Sequence, residues 1–277
     1  MSATAEELLA AGDPAGALKA LQQQVRNNAA DPKLRTFLFQ LLAVQGQWKR
    51  ALDQLKVCGE LDAGTLAMVN TYTAAVQCEM VREAVFAGKT LPHVFGPPAA
   101  WVAQLAQALQ LDGEGQPAAA AALRDEAFEA APASAGTVVL GQDPNGPEQP
   151  FAWMADADSR LGPVLEIIVN GRYGWLPMEH CRSLVIEPVE DLRDLVWAPA
   201  YLTFANDAET VALVPTRYAG TALSEDGALS LSRRTDWVEL GGGAGGQYRG
   251  LGQRTLTTDV SEFGLLELRR VSFTAAA

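Results

Sequence analysis

Residues 151–177, FAWMADADSRLGPVLEIIVNGRYGWLP, decide the fold class of this chain. An apolar run, Val164 to Val169, meets Asn170-Gly171 and then resumes as Arg172 to Leu176. Asn-Gly accepts the positive φ angles of a type I′ turn, so the pattern predicts a β-hairpin. Downstream, DLRDLVWAPAYLTFAND (191–207) and VALVPTRYAG (211–220) predict one helical turn and then a second hairpin closing at Asn206-Asp207. Ser183–Glu187, Asp236–Leu240, Thr255–Thr258 and Leu265–Phe273 read as further strands, and Val138–Leu140 as a short one. The expectation is a strongly curved antiparallel sheet or partly closed barrel with little helix.

Upstream the period changes from two to 3.6. Leu34, Phe37, Leu38, Leu41 and Leu42 make one apolar helix face. Thr4 and Glu7 have capping-box spacing, and Asp13-Pro14 and Asp31-Pro32 each place an N-cap before a first-turn proline. Gly12, Ala17, Leu18 and Leu21 return as Gly46, Ala51, Leu52 and Leu55, each 34 residues on, which is the tetratricopeptide period. A weaker third copy runs from Gly115 to Pro132, and Leu66–Ala87 reads as a longer helix outside the repeat. Prolines and glycines crowd Ala133–Pro150. The fold class is therefore α+β in two parts: a tetratricopeptide-like helical array, residues 1–135, and a β-rich domain, residues 136–277.

The chain has 277 residues and a formal charge of −12, which disfavours nucleic acid and favours basic or amphipathic partners. Residues 137–277 hold 19 carboxylates against 11 basic residues, every one of them Arg. Three scattered cysteines, Cys58, Cys78 and Cys181, suggest reduced thiols in a cytoplasmic protein. Neither a signal peptide nor a membrane-length apolar run is legible.

Asp156-Ala-Asp158 would aim two carboxylates to one side of a strand, as a metal site requires. Arg160 stands beside them as a competing partner, and no calcium-loop pattern follows. Asp191 and Asp194, at i and i+3 around Arg193, offer a second acidic pair for an arginine such as Arg160, Arg172 or Arg217. His93 and His180 lack a nucleophile partner and are too few for a three-histidine zinc site. Trp153, Trp175, Trp197 and Tyr218 are expected as core filler at the barrel ends. Gly241–Gly246 has no phosphate-loop grammar and reads as a flexible surface loop. No cofactor or metal is expected.

Five phrases, ADADSRLGP (155–163), NGRY with WLP (170–177), DLRDLVWAP (191–199), PTRY (215–218) and GLGQR (250–254), make the chain resemble the ImpE/TagJ family of bacterial type VI secretion. Gly174 departs from it, since the family pattern leads one to expect a second aromatic after Tyr173, and the Gly241–Gly246 run looks inserted. The resemblance implies a cytoplasmic, non-catalytic adaptor that binds the N-terminal helix of the small contractile-sheath subunit and is associated with the ClpV ATPase. The β-rich half is favoured for the sheath contact, with the helical half as the alternative or as the site for a second partner. Asp156, Asp158, Arg160, Asp191, Arg193, Asp194, Trp197, Arg217 and Tyr218 are then a partner-binding surface or a structural Arg–carboxylate framework. Two other readings compete: a metal-dependent hydrolase using Asp156, Asp158 and Asp191, and a generic tetratricopeptide chaperone.

Overall fold

The first helical turns are closed by their own side chains: Thr4 and Glu7 form a capping box, and Asp13 and Asp31 accept from the first backbone N–H groups of their helices. A computed structural model of the chain describes residues 3–97, 99–241 and 246–274. Its helices run α1 Ala5–Ala10, α2 Pro14–Asn27, α3 Pro32–Val44, α4 Trp48–Leu61, α5 Leu66–Phe86, α6 Ala100–Gly113 and α7 Pro117–Ala130. The 34-residue repeat is also a repeat of geometry. Gly12, Gly46 and Gly115 all adopt positive φ, at 81°, 62° and 75°. The next residue in each case reaches back to a leucine: Asp13 N–H to the Leu8 carbonyl, Gln47 to Leu42 and Gln116 to Leu111. This is the Schellman closure, which needs a residue free of the Cβ penalty at the left-handed position. Ala17, Ala51 and Ala120 then lie fully buried where paired helices approach closely.

The strands are β1 His93–Val94, β2 Gly136–Leu140, β3 Gln149–Phe151, β4 Met154–Asp156, β5 Val164–Val169, β6 Arg172–Pro177, β7 Cys181–Ile186, β8 Trp197–Phe204, β9 Glu209–Pro215, β10 Thr235–Glu239, β11 Tyr248–Gly252, β12 Thr255–Thr258, β13 Glu262–Gly264 and β14 Leu268–Phe273. A short helix, α8 Gly227–Ser230, precedes β10. The β5–β6 hairpin turns at Asn170 and Gly171, both at positive φ, as the Asn-Gly pair predicts. Asp191–Val196 supplies a short 3-10 turn, Leu192–Leu195.

The expected partly closed barrel is not formed. Nine strands make one open sheet in the order β1-β6-β5-β9-β8-β7-β14-β2-β3, with β13-β12-β4 and β10-β11 as separate small sheets. Nor is the large sheet wholly antiparallel, because β1 joins β6 in parallel. His93 lies in β1. The ends do not meet for local reasons. At one edge β1 is two residues long, and at the other β3 carries Pro150, which has no N–H for a further strand.

Each face of the large sheet has its own apolar cluster. Leu165, Ile167 and Val169 face one that also holds Met154, Leu256 and Phe263 of the three-stranded sheet. Val164 and Ile168 point the other way, into a cluster running from Ala5 through the helices to Trp175, Trp197 and Leu231. The helical layer and the sheet thus share one core. Trp197, expected at a barrel end, packs instead between Trp48 and Tyr72, at ring-centroid distances of 6.0 and 5.8 Å. Trp175 and Tyr218 are buried, whereas Trp153 is exposed. No helix among the described residues is long and apolar enough to cross a membrane. Of the Gly241–Gly246 run, residues 242–245 lie outside the described residues.

Candidate functional site

Glu166 occupies the middle of β5, on the face that Val164 and Ile168 turn to the helices. A carboxylate there is cut off from water and must find charged partners. It has two. Arg82 of α5 forms a fork on it, Nε to Oε1 at 2.8 Å and Nη2 to Oε2 at 2.9 Å. Arg254, fully buried just before β12, donates through Nη2 to the same carboxylate. From these two cations the chain of charges runs outward. Arg82 also contacts Glu79, one turn back on α5, at 3.3 Å, and Glu79 accepts from the Trp197 indole at 2.9 Å. Arg254 Nη1 donates to Asp156 at the end of β4, at 2.5 Å. The order Glu79–Arg82–Glu166–Arg254–Asp156 alternates in sign along its whole length and joins α5, β5, the residue preceding β12, and β4.

Aromatic hydroxyls and backbone groups fill the remaining valences. Tyr173 donates to Glu166 at 2.5 Å and accepts from the Trp175 indole at 3.0 Å. Tyr218 donates to Asp156 at 2.9 Å, and its oxygen accepts from Thr255 N–H at 2.9 Å. Burial alone would raise Glu166, but the Arg82 and Arg254 charges beside it hold its carboxyl at about 2. Burial raises Asp156 to about 6, with Arg254 opposing the rise and Asp158 adding to it. Next to this chain, Asp158 is closed by Arg160 at 2.6 Å and by Gly250 N–H at 3.0 Å, and the Arg160 guanidinium lies over the Phe86 ring at 4.7 Å.

Asp156, Asp158, Arg160 and Tyr218, singled out in the sequence, therefore sit together, with Trp197 joined to them through Glu79. Asp191, Arg193 and Asp194 form a separate group. Asp191 pairs with Arg193, whose guanidinium lies 4.8 Å above the Tyr72 ring. Asp194 accepts from the backbone N–H groups of Glu190 and Asp191, at 2.9 and 2.8 Å. Arg217 meets neither Asp191 nor Asp194. Among the described residues its guanidinium donates only to carbonyls: Val44 at 2.6 Å, Ser230 at 2.7 Å and Ala43 at 3.3 Å. Burial without a carboxylate partner lowers its pKa to about 10. Arg172, the third arginine considered as a partner, is exposed.

The proposed metal trio is not assembled. Asp156 and Asp158 are each closed by an arginine, and Asp191 belongs to the other group. Among the described residues no cluster of three His, Cys, Asp or Glu side chains has metal-binding geometry. Burial pushes the Cys78 thiol up to about 11 and the Cys181 thiol to about 12, so neither is poised as a nucleophile.

Four members of the charge chain escape the sequence argument: Glu79, Arg82, Glu166 and Arg254. A signal existed for two of them. Glu166 is a lone acid at an inward position of an apolar strand, and Arg254 closes the phrase GLGQR. Glu79 and Arg82 are one more i, i+3 pair on a helix, a spacing most often found on solvated faces.

Comparison with known proteins places this arrangement. A family model described as ImpE protein matches residues 148–272, a span that contains Glu166, Arg254 and Asp156. The type VI secretion system accessory component TagJ of Pseudomonas aeruginosa is 55% identical over 269 residues, covering 97% of this chain and 90% of the relative. The crystal structure of protein VPA1032 from Vibrio parahaemolyticus superposes with a TM-score of 0.87 at 21% identity, covering 98% of this chain and 97% of that one, a likeness of fold.

Proposed function

The chain belongs to the ImpE family, that of the type VI secretion accessory component TagJ, and from that premise we propose that it acts as a non-catalytic adaptor in such a system. Its partner in this reading is the N-terminal helix of the small contractile-sheath subunit, with the ClpV ATPase as a second partner. One observation carries the non-catalytic part. The five-member charge chain is internally satisfied, each carboxylate taken by arginine, tyrosine, indole or backbone donors. Such an arrangement fixes the helical layer to the sheet and leaves no carboxylate free to act as base or ligand. Chemistry of use to a partner then lies on the surface. The generic chaperone reading, in which the sheet half only holds the helical array together, differs in predicting that residues 1–135 alone bind every partner; Trp197 and Leu231 of the sheet half complete the core of α1–α5.

The test is capture of the sheath subunit by the full-length protein, with and without the subunit's first helix. Capture that depends on that helix supports the adaptor reading. Equal capture of both forms excludes the helix as the recognised element.

A further inference from the structure

A recess of about 540 Å³ opens along α3, away from the charge chain. Its floor is one face of that helix, where Lys33, Thr36, Phe37 and Gln40 stand at i, i+3, i+4 and i+7. Three other elements each bring an exposed carboxylate to its walls: Glu6 from α1, Asp62 from the end of α4 and Glu190 from the β7–β8 connection. Asp191 lines the recess as well but is taken by Arg193. Among the described residues, Glu6, Asp62 and Glu190 have no cation within ion-pair distance, and Lys33 is the one basic side chain lining the recess. Gln40 is an independent mark of a ligand. It is 6% exposed, and its side-chain amide, facing the recess, hydrogen-bonds no group among the described residues. A buried polar group left in that state is costly, and folded chains keep few of them.

We propose that the recess binds a basic peptide segment in extended conformation. A carboxamide carries an N–H donor and a carbonyl acceptor side by side, the complement of one peptide unit. An extended chain has its peptide units open, whereas the interior of a helix has spent its own on itself, so Gln40 selects the extended form. Successive side chains of such a segment point to opposite sides. Lysines or arginines at alternate positions therefore reach Glu6, Asp62 and Glu190 on the walls. An apolar side chain between them rests on the half-buried Phe37 and Leu192. The formal charge of −12 draws a cationic segment toward this surface from a distance. The inference goes beyond the adaptor reading: it assigns a separate site and a separate ligand class, and neither depends on the other.

The experiment uses the full-length protein and a fluorescein-labelled octapeptide alternating lysine or arginine with valine, followed by fluorescence anisotropy. The same peptide with glutamate at each basic position is expected not to bind. Glu6→Lys and Glu190→Lys alter exposed side chains and are each expected to weaken binding by roughly fivefold or more. Glu129→Lys makes the same change of net charge on an exposed face of α7, outside the recess, and is expected to bind as wild type. Gln40→Leu keeps the volume, loses no partner within the chain and is expected to hold the wild-type Tm while weakening binding by roughly tenfold. Should Gln40→Leu fail to fold, the two carboxylate variants decide alone. Equal weakening by Glu190→Lys and Glu129→Lys shows attraction to net charge only and overturns the site. Binding of the glutamate peptide, or a wild-type protein that fails to bind the basic one, overturns it too. None of these results touches the sheath-subunit reading, which its own capture experiment decides.

Discussion

Arg217 and Arg233 grip the same pair of carbonyls in successive copies of the repeat. Arg233 donates to Leu9 and Ala10, at 2.7 and 3.1 Å, at the end of α1. Arg217 donates to Ala43 and Val44, at 3.3 and 2.6 Å, at the end of α3. In both forks Nη2 takes the first carbonyl and Nη1 the second, 34 residues apart in the chain. One segment of the sheet half thus caps two helix C-termini, where unpaired carbonyls and the helix dipole favour a cation.

The two caps differ in burial, and so in consequence. Arg217→Ala leaves carbonyls buried without donors and is expected to cost about 3 kcal/mol. Arg233 is exposed, water replaces it, and Arg233→Ala is expected to cost about 1 kcal/mol or less. Urea unfolding of the two variants checks the order.

Glu166 and Asp156 pull the pH dependence in opposite directions. Glu166, held at about 2 against an ordinary 4.5, contributes stability that is complete above pH 4.5 and is lost as pH falls toward 2. Asp156, raised to about 6 from 3.8, does the reverse: its contribution is complete below pH 3.8 and is lost as pH rises through 6. The Tm difference between wild type and Glu166→Gln is expected to be largest at neutral pH and to shrink below pH 4.5. Asp156→Asn is expected to flatten the wild-type slope between pH 4 and 6. Calorimetry across pH 2–8 reads both.

Removing one member of the charge chain strands its neighbours. Arg254→Met leaves Asp156 without its cation and Glu166 with only Arg82, an expected loss of about 3–5 kcal/mol. The double variant Arg254→Met/Asp156→Leu is expected to recover part of that loss, because two charges leave together. A chemical-denaturation double-mutant cycle measures the recovery, and strict additivity would contradict the coupling.

Residues 1–135 and 136–277 are expected to unfold together. Trp197 and Leu231 lie in the helical core, and Glu79 and Arg82 are held by the sheet. A fragment ending at 135 is expected to lack the near-ultraviolet dichroism of packed Trp48 and Tyr72, and the intact chain to melt in one transition. Two separate transitions would contradict the shared core.

Gly174 has a steric reason to depart from the family pattern. A Cβ there would lie 2.5 Å from the His93 carbonyl and 2.7 Å from the Phe95 ring. Gly174→Ala is expected to loosen β1 at a cost of about 1–3 kcal/mol. Faster hydrogen exchange at Phe95, whose N–H bonds the Trp175 carbonyl at 2.8 Å, is the readout.

What was legible in the sequence obeyed short-range rules. Asn170-Gly171 announces its hairpin because only a few residue pairs accept that turn. Gly12 and Gly46 announce the repeat because the Schellman closure selects glycine. Asp158 pairs with Arg160, as their neighbourhood in the sequence suggests, since that contact spans two residues, whereas the cation of Asp156 is Arg254, 98 residues away. The partners of Asp191 and Arg217 were not found: the first is Arg193, and the second is the backbone at the end of a helix. Carbonyls leave no mark in side-chain identity.

The sequence by itself therefore determined the helical first half, the hairpins and the family phrases, because hydrogen-bond closure within a few residues is written in residue type. Tertiary structure decided that the sheet stays open and that the two halves share a core. It alone chose Glu166 as the acid around which Arg82 and Arg254 gather. Those contacts join positions 84 and 88 residues apart, and a buried charge selects its partner by distance in space.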